Sequence, residues 1–174
     1  GKKTIDNILT HQRDEGGWKK AYDVGKSNAD ANKKSGGSWD GATIDNGATY
    51  TELRLLARAY TVEPRPQVLE GFNKGLDFLT SMQYESGGWP QRFPIPRDYG
   101  RYVTFNDDAM ANVMMLLQDV AEGKSPFAFV DEARRAKAKH AFERGMELIL
   151  RTQIKNPRGE LTGFPSRPAI PRMN

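Results

Sequence analysis

Two short acidic segments carry the side chains of this sequence that are best suited to chemistry. The segment TIDNGAT holds Asp45 and Asn46, and the segment TFNDDAM holds Asn106, Asp107 and Asp108. Carboxylate and amide oxygens are the ligands that Ca²⁺ and Mg²⁺ prefer, so these residues predict a hard-cation site if the fold brings the segments together. The same short polar side chains could instead cap two helices, because their oxygens accept unpaired backbone N–H groups.

Other chemistries have less support in the sequence. Paired carboxylates facing a groove could also be the acid and base of an inverting glycoside hydrolase, so that alternative stays open. The chain has no cysteine, which excludes a disulfide framework and cysteine-ligated zinc, and it contains no Gly-rich phosphate loop and no nucleophile elbow. Its two histidines, His11 and His140, fall at helical positions, where we expect partly exposed side chains without a metal or nucleophile role.

The helices that must position the acidic segments follow a repeat. Apolar residues at three- and four-residue steps predict amphipathic helices over 66–83 and 133–153, the first beginning at Pro66. These two segments align at an offset of 70 residues, and a shorter copy with Ile8 and Gln12 precedes them at an offset of 71. The three copies therefore predict one series of similar helices.

A second series of helices alternates with the first. Each acidic segment continues into a similar apolar stretch, over 43–60 and over 104–121. Paired helices of this kind bury their apolar faces only against neighbouring pairs. The pattern predicts an all-α fold, an α/α toroid or incomplete α/α barrel of about three helix-pair repeats with long Gly-rich loops.

The loops are expected to form a cleft at one end of these helices. The sequence Gly-Gly-Trp follows a helix end twice, at 16–18 and at 87–89, because glycine allows the positive φ that ends a helix. The tryptophan either closes the helix pair or stacks on a sugar ring, which makes Trp89 a candidate substrate contact. The long loops 23–42 and 90–100 should lie at the same end as the acidic segments.

Length and charge limit the kind of partner. A chain of 174 residues is the size of one domain, and a net charge of +4 with a pI near 9.3 suits a polyanion. Lys and Arg are spread without a dense basic run, so we expect no nucleic-acid partner. No apolar run approaches the ~20 residues of a membrane span and no signal peptide is evident at the start, so we expect no membrane partner.

Three segments together resemble the polysaccharide lyase family 10 pectate lyases: TIDNGATYTELRLLARAY, MQYESGGWPQRFP and RYVTFNDDAMANVMMLLQDVA. They occur in the family's order and spacing, and the resemblance extends over about 5–162. It implies a toroid-like helical fold and calcium-assisted β-elimination on polygalacturonate (pectin), which gives 4,5-unsaturated oligogalacturonides. It also implies a secreted or periplasmic location, since pectin lies outside bacterial cells.

The resemblance assigns roles to four residues of the acidic segments. Asp45 and Asp107 match the aspartates that are associated with calcium in the family. Asn46 matches a substrate contact, and Asp108 is expected to support the site or to cap the following helix.

The end of the sequence departs from the family. Family catalytic domains are considerably longer, and their second half supplies the arginine that acts as the base. No arginine of this chain matches that position, so the catalytic base stays unassigned, and 163–174 reads as an atypical tail of a single partial domain, 1–174. We therefore expect activity to require a complementary C-terminal chain or self-association, and the alternative is a non-catalytic fragment that binds calcium and pectin.

Overall fold

The structure is a computed structural model that describes residues 1–29, 40–103 and 105–163. This part of the chain is mainly helical, which confirms the predicted all-α class. Its helices are α1 (Lys2–Thr10), α2 (Tyr50–Val62), α3 (Pro66–Ser81), α4 (Ala109–Ala121) and α5 (Glu132–Thr152). Two antiparallel pairs of very short strands join them: β1 (Ala42–Thr43) with β2 (Arg92–Phe93), and β3 (Ile154–Lys155) with β4 (Leu161–Gly163).

The helices alternate between two series, as the sequence predicted. Helices α1, α3 and α5 form the first series, and α2 and α4 form the second, so that α2 packs against α3 and α4 packs against α5. Pro66 stands in the first turn of α3, where its missing N–H costs no helical hydrogen bond. The predicted tail lies outside the described residues apart from Gly163. No helix in the described ranges is long and apolar enough to cross a membrane.

One apolar core runs through both series. Phe72 and Leu79 of α3 are fully buried, as are Leu53 of α2 and Leu116 and Leu117 of α4. Burying a side chain of this size stabilises a fold by roughly 1.5–3 kcal/mol. The described half-ring of helices therefore has a core of its own, onto which the loops at one end are fixed.

The turn after α1 is held by a glutamine and a tryptophan. The Gln12 side-chain amide donates to the carbonyl oxygens of Gly16 and Gly71, both at 2.8 Å, which ties the turn to α3. The Trp18 indole N–H donates to the Ile8 carbonyl oxygen at 2.8 Å. Gly16 has a φ of 114°, which a residue with a Cβ rarely adopts.

The turn after α3 repeats these contacts. The Gln83 amide donates to the carbonyl oxygens of Gly87 and Ala141 at 2.9 and 2.8 Å, and the Trp89 indole N–H donates to the Leu79 carbonyl oxygen at 2.9 Å. Trp89 is only 1% exposed. Its ring fills the core and closes the helix pair, so the structure does not support the predicted stacking of Trp89 on a sugar.

Candidate functional site

Each acidic segment forms a tight 3-10 turn just before a helix of the second series. The first turn, Asp45–Gly47, precedes α2, and the second, Asn106–Asp108, precedes α4. The predicted capping role is wrong for Asp45, because the N-cap of α2 is Thr49, four residues further on. Asp108 does stand at the N-cap of α4, but its side chain makes no capping hydrogen bond.

Both acidic turns hold non-glycine residues in the left-handed backbone region. The φ angles are 49° at Asn46, 54° at Asp107 and 54° at Asp108. A left-handed backbone costs roughly 1–2 kcal/mol per residue, less for Asn and Asp, and such strain concentrates at functional sites. Asn46 and Asp107 occupy equivalent places in the two aligned segments, so the repeat builds the same strained turn twice.

The strand pair β1–β2 fixes the first acidic turn. The Ile44 N–H and the Thr43 hydroxyl both donate to the carbonyl oxygen of Gln91, at 3.1 and 2.6 Å. The Asp45 N–H in turn donates to the Thr43 hydroxyl oxygen at 3.0 Å. The end of the first loop and the start of the second therefore meet beside the first acidic turn, and residues 30–39 of the first loop lie outside the described part.

The two acidic turns approach one another around Tyr50. Helix α4 contacts the turn Asp45–Gly47, and the Asn112 amide lies 3.4 Å from the Tyr50 hydroxyl. Burial raises the pKa of Tyr50 and the charges of Asp45 and Asp108 raise it further, while hydrogen bonds partly offset the rise. The fold therefore places the start of α4 beside the first acidic turn.

Asp45 is paired with a lysine that the sequence reading did not single out. Its side chain is 12% exposed, and its Oδ2 atom contacts the Nζ atom of Lys20. The ammonium compensates the carboxylate charge and so offsets the free-energy cost of burying Asp45. Lys20 itself keeps 32% of its side chain exposed and so faces both the acidic turn and solvent.

A second polar pair lies beside the first. The Tyr22 hydroxyl donates to Glu52 Oε1 at 2.9 Å, and Glu52 Oε2 is buried without a hydrogen-bond partner in the described ranges. Burial raises the pKa of Glu52, which nearby backbone N–H groups and Tyr22 partly offset, and burial followed by the Glu52 charge raises the pKa of Tyr22. Glu52 was not singled out from the sequence; the capping-box pattern Thr49-x-x-Glu52 could have drawn attention to it, although the Thr49 side chain makes no capping hydrogen bond.

A small cavity of about 150 Å³ joins these side chains. It is lined by residues of the turn after α1 and of the start of α2, among them Lys19, Lys20, Tyr22, Asn46 and Glu52. The predicted substrate contact Asn46 thus shares a cavity with a lysine, a tyrosine and a buried glutamate.

The donors of the acidic turns fit a hard cation in type. Asp45, Asp107 and Asp108 supply carboxylate oxygens, and Ca²⁺ takes 6–8 oxygen ligands. The described residues contain no group of three His, Cys, Asp or Glu placed to hold a metal ion by themselves. A calcium ion here would therefore need carbonyl, amide, water or substrate oxygens as well.

The two histidines differ from each other. His140 is exposed on α5, as expected. His11 is only 4% exposed, so the expectation of a partly exposed side chain is wrong. Its Nε2 atom lies 2.9 Å from the carbonyl oxygen of Lys26, and its ring packs on Tyr22 with centroids 4.3 Å apart. His11 thus holds the first loop in place and supports Tyr22.

Comparison with known proteins defines the class of protein to which the chain belongs. The family model described as Pectic acid lyase matches residues 12–165, and the chain therefore belongs to the pectic acid lyase family. No curated protein matches the chain significantly.

Two solved structures show the particular relatives that it resembles. One is the family 10 polysaccharide lyase from Cellvibrio cellulosa, with 32% identity and a TM-score of 0.81 over 94% of this chain. The other is an Asp-to-Ala mutant of the Cellvibrio cellulosa family 10 enzyme in complex with trigalaturonic acid, with 31% identity and a TM-score of 0.81. The chain spans 50% of the length of each of these structures. The resemblance to family 10 polysaccharide lyases is thereby confirmed.

Proposed function

We propose that this chain provides one side of the active site of a calcium-dependent pectate lyase that acts on polygalacturonate. The observation that carries the proposal is the approach of the two acidic segments: helix α4, which follows the second turn, contacts the turn Asp45–Gly47, and its Asn112 amide lies 3.4 Å from the Tyr50 hydroxyl. A family 10 relative of the same fold was solved with trigalaturonic acid, which supports an acidic sugar chain as the substrate class.

The proposed reaction is a β-elimination. A base removes the proton from C5 of a uronate, the electron pair forms the C4–C5 double bond, and the bond from C4 to the glycosidic oxygen breaks. The leaving oxygen takes up a proton, and the product is a 4,5-unsaturated oligogalacturonide. No residue in the described ranges is assigned as the base.

Within this reaction the residues of the acidic turns would bind the calcium ion and orient the sugar. Asp45 and Asp107 would hold the calcium ion, whose charge when bound neutralises the uronate carboxylate and so acidifies the neighbouring C5 proton. Asn46 lines the cavity beside Asp45, where its amide can hydrogen-bond a sugar hydroxyl or carboxylate. Asp108 stands at the start of α4 and adds negative charge to the same site.

The charge of the chain is consistent with this substrate. A net charge of +4 favours association with a polyanion, and the acidic turns supply the local negative charge that a shared cation requires. A secreted or periplasmic location is part of the proposal, because the substrate is an extracellular polymer.

A second candidate function is calcium-dependent binding of pectin without cleavage. It is considered because no residue in the described ranges is assigned as the base. Two apolar side chains, Met115 and Leu150, are largely exposed on α4 and α5. A complementary chain or a second copy could cover them and complete the site.

Ultraviolet absorbance of unsaturated uronide tests the two functions. The purified chain is incubated with polygalacturonate in calcium and then in chelator, alongside the variants Asp107→Ala and Asp119→Ala. A calcium-dependent rise that Asp107→Ala abolishes supports the lyase, and Asp119→Ala is the control because Asp119 pairs with Arg54 away from the acidic turns. Retention on a pectate column without any rise in absorbance supports the binding function, provided that adding a C-terminal half from a relative also produces no rise.

A further inference from the structure

The short segment 20–22 is fixed to the start of α2 at both of its ends. At one end the Lys20 ammonium contacts Asp45, and at the other the Tyr22 hydroxyl binds Glu52. Between them Ala21 has a φ of 61°, which an alanine rarely adopts. Strain of this kind persists only where the surrounding contacts impose it, and the two polar contacts are in a position to do so.

The second repeat shows that the fold does not need these polar pairs. It forms the same glutamine and tryptophan contacts and the same strained acidic turn. At the four aligned positions it has Gln91, Phe93, Asn106 and Val113 in place of Lys20, Tyr22, Asp45 and Glu52. A neutral version of the whole arrangement is therefore compatible with the architecture, which points to a functional reason for the charged one.

Resting on the proposed lyase site, we propose that Lys20 is a specificity residue for acidic sugars. It pairs with Asp45, and it transfers to the carboxylate of a bound uronate when Asp45 binds a cation. The Oδ2 atom of Asp45 contacts the Lys20 ammonium, and a divalent cation at the same oxygen would stand beside a like charge. The ammonium therefore has to leave that oxygen, and a substrate carboxylate is the partner it finds in the same cavity.

The side chain of Lys20 is suited to such an exchange. It is 32% exposed, and the flexible four-carbon stem of lysine allows the ammonium to move while the backbone stays in place. The bond between Tyr22 and the buried Glu52 keeps that backbone fixed, so the ammonium remains near the acidic turn. Tyr22 and Glu52 are positioning residues in this scheme, because they act through Lys20.

Lys2 provides a matched control outside the cavity. Its ammonium lies 3.0 Å from Glu63 Oε1, and both side chains are more than half exposed. An exposed ion pair of this kind contributes little, about 0–1 kcal/mol. Removing the Lys2 charge changes the net charge as much as removing the Lys20 charge, but it leaves Asp45, its partner and the cavity in place.

Two binding titrations of the full chain test the proposal. Calorimetry measures the Kd of Ca²⁺ without sugar, and the Kd of trigalacturonate at saturating Ca²⁺, for wild type, Lys20→Met and Lys2→Met. We expect Lys20→Met to bind Ca²⁺ about tenfold more tightly and trigalacturonate about tenfold more weakly, each a change of roughly 1.4 kcal/mol. Lys2→Met should change neither Kd by more than about twofold.

A positioning variant extends the same titrations. Tyr22→Phe removes only the hydroxyl that binds Glu52, and Tyr84→Phe removes a comparable hydroxyl bond, to the carbonyl oxygen of Arg101 at 2.6 Å. We expect Tyr22→Phe to weaken trigalacturonate binding severalfold and to change the ammonium NMR signal of Lys20. Tyr84→Phe should lower thermal stability without moving either readout, which separates positioning from a general loss of stability.

The outcomes distinguish this inference from the proposed function. Unchanged or weaker Ca²⁺ binding in Lys20→Met, with wild type still binding Ca²⁺ and sugar, overturns the role of Lys20 and leaves the lyase site intact. Absence of Ca²⁺ binding in every variant overturns both. Equal losses of trigalacturonate binding in Lys2→Met and Lys20→Met reduce the effect to net charge and also overturn the proposal.

Discussion

The two repeats of the chain share their scaffold contacts but differ in their chemistry. In both, a glutamine amide bridges a glycine turn to the next helix of its series, and a buried tryptophan donates to a carbonyl ten residues earlier. The first repeat adds two polar pairs, formed by Lys20 with Asp45 and by Tyr22 with Glu52. The second repeat adds Asp107 and Asp108 in its turn.

This difference teaches which residues serve which purpose. Residues that recur in both repeats hold the helices together, because each copy must solve the same packing problem. The two polar pairs that occur only in the first repeat are not needed by the shared scaffold, and both lie at the start of α2. A symmetric scaffold therefore carries an asymmetric site, and substitutions in the scaffold should affect stability while substitutions in the site should affect binding.

The largest effect is expected from the repeated tryptophans. Trp18→Ala and Trp89→Ala should each lower the free energy of unfolding by about 3–5 kcal/mol, because both rings are almost completely buried. Urea unfolding followed by circular dichroism measures the two losses. If Trp89→Ala were stable but failed to bind oligogalacturonate, the scaffold role of Trp89 would be wrong. A direct contact between Trp89 and the sugar would then be supported instead.

The repeated glutamines should give a smaller and again similar effect. Gln12→Ala and Gln83→Ala each leave two carbonyl oxygens without their side-chain donor, at a cost of about 1–3 kcal/mol. The same unfolding measurement applies, with Gln118→Ala as control, since the Gln118 amide binds only the exposed Glu122. A large loss at one glutamine and none at the other would break the symmetry of the scaffold.

Exchanging the first polar pair for its counterpart should separate stability from function. The double variant Lys20→Gln and Asp45→Asn introduces the residues of the second repeat. Since a partly exposed ion pair contributes about 0–1 kcal/mol, we expect the free energy of unfolding to change by no more than that. Binding of Ca²⁺ and oligogalacturonate should be lost, and a calorimetric titration that shows both retained would contradict the assignment of Asp45.

The sequence predicted the scaffold well because the scaffold repeats. Apolar periodicity and the recurrence of Gln and Gly-Gly-Trp located all five helices of the described part within a few residues, except that α2 and α4 begin later than their acidic segments suggested. The acidic residues were identified by their type, but the alternative that they cap the helices did not hold, because the backbone at Asn46 and Asp107 is left-handed before each helix starts.

Other features of the site depend on distant contacts. Lys20 and Asp45 are 25 residues apart, and Tyr22 and Glu52 are 30 apart, so neither pair has a local pattern that reveals it. The burial of His11 was misjudged and the role of Trp89 was left open for a related reason, since burial is set by the helices that cover them. Comparing the two repeats position by position would have indicated the polar pairs, because that comparison separates common residues from unique ones.

The smallest expected effect concerns the pH dependence of the second polar pair. Burial raises the pKa of Glu52 above its ordinary value of 4.5, so the folded state binds this proton more tightly than the unfolded state. The stability associated with Glu52 is then complete below that pH and is lost as the pH rises through the raised pKa. Wild type should therefore lose stability relative to Glu52→Gln as the pH increases from 4.5 towards neutrality.

A control residue whose contribution to stability changes with pH in the opposite direction makes this measurement decisive. The pKa of Glu122 is lowered by its hydrogen bonds with Lys124 and Gln118, so its contribution is present at neutral pH and is lost as the pH falls. Urea unfolding over a pH series should give opposite slopes for the stability of wild type relative to Glu52→Gln and to Glu122→Gln. The slope for Glu122 should be shallow because that carboxylate is solvent-exposed. A flat or rising curve for Glu52 would show that Tyr22 and the backbone N–H groups fully compensate the buried charge, and the pair would then be a structural bond of the first repeat.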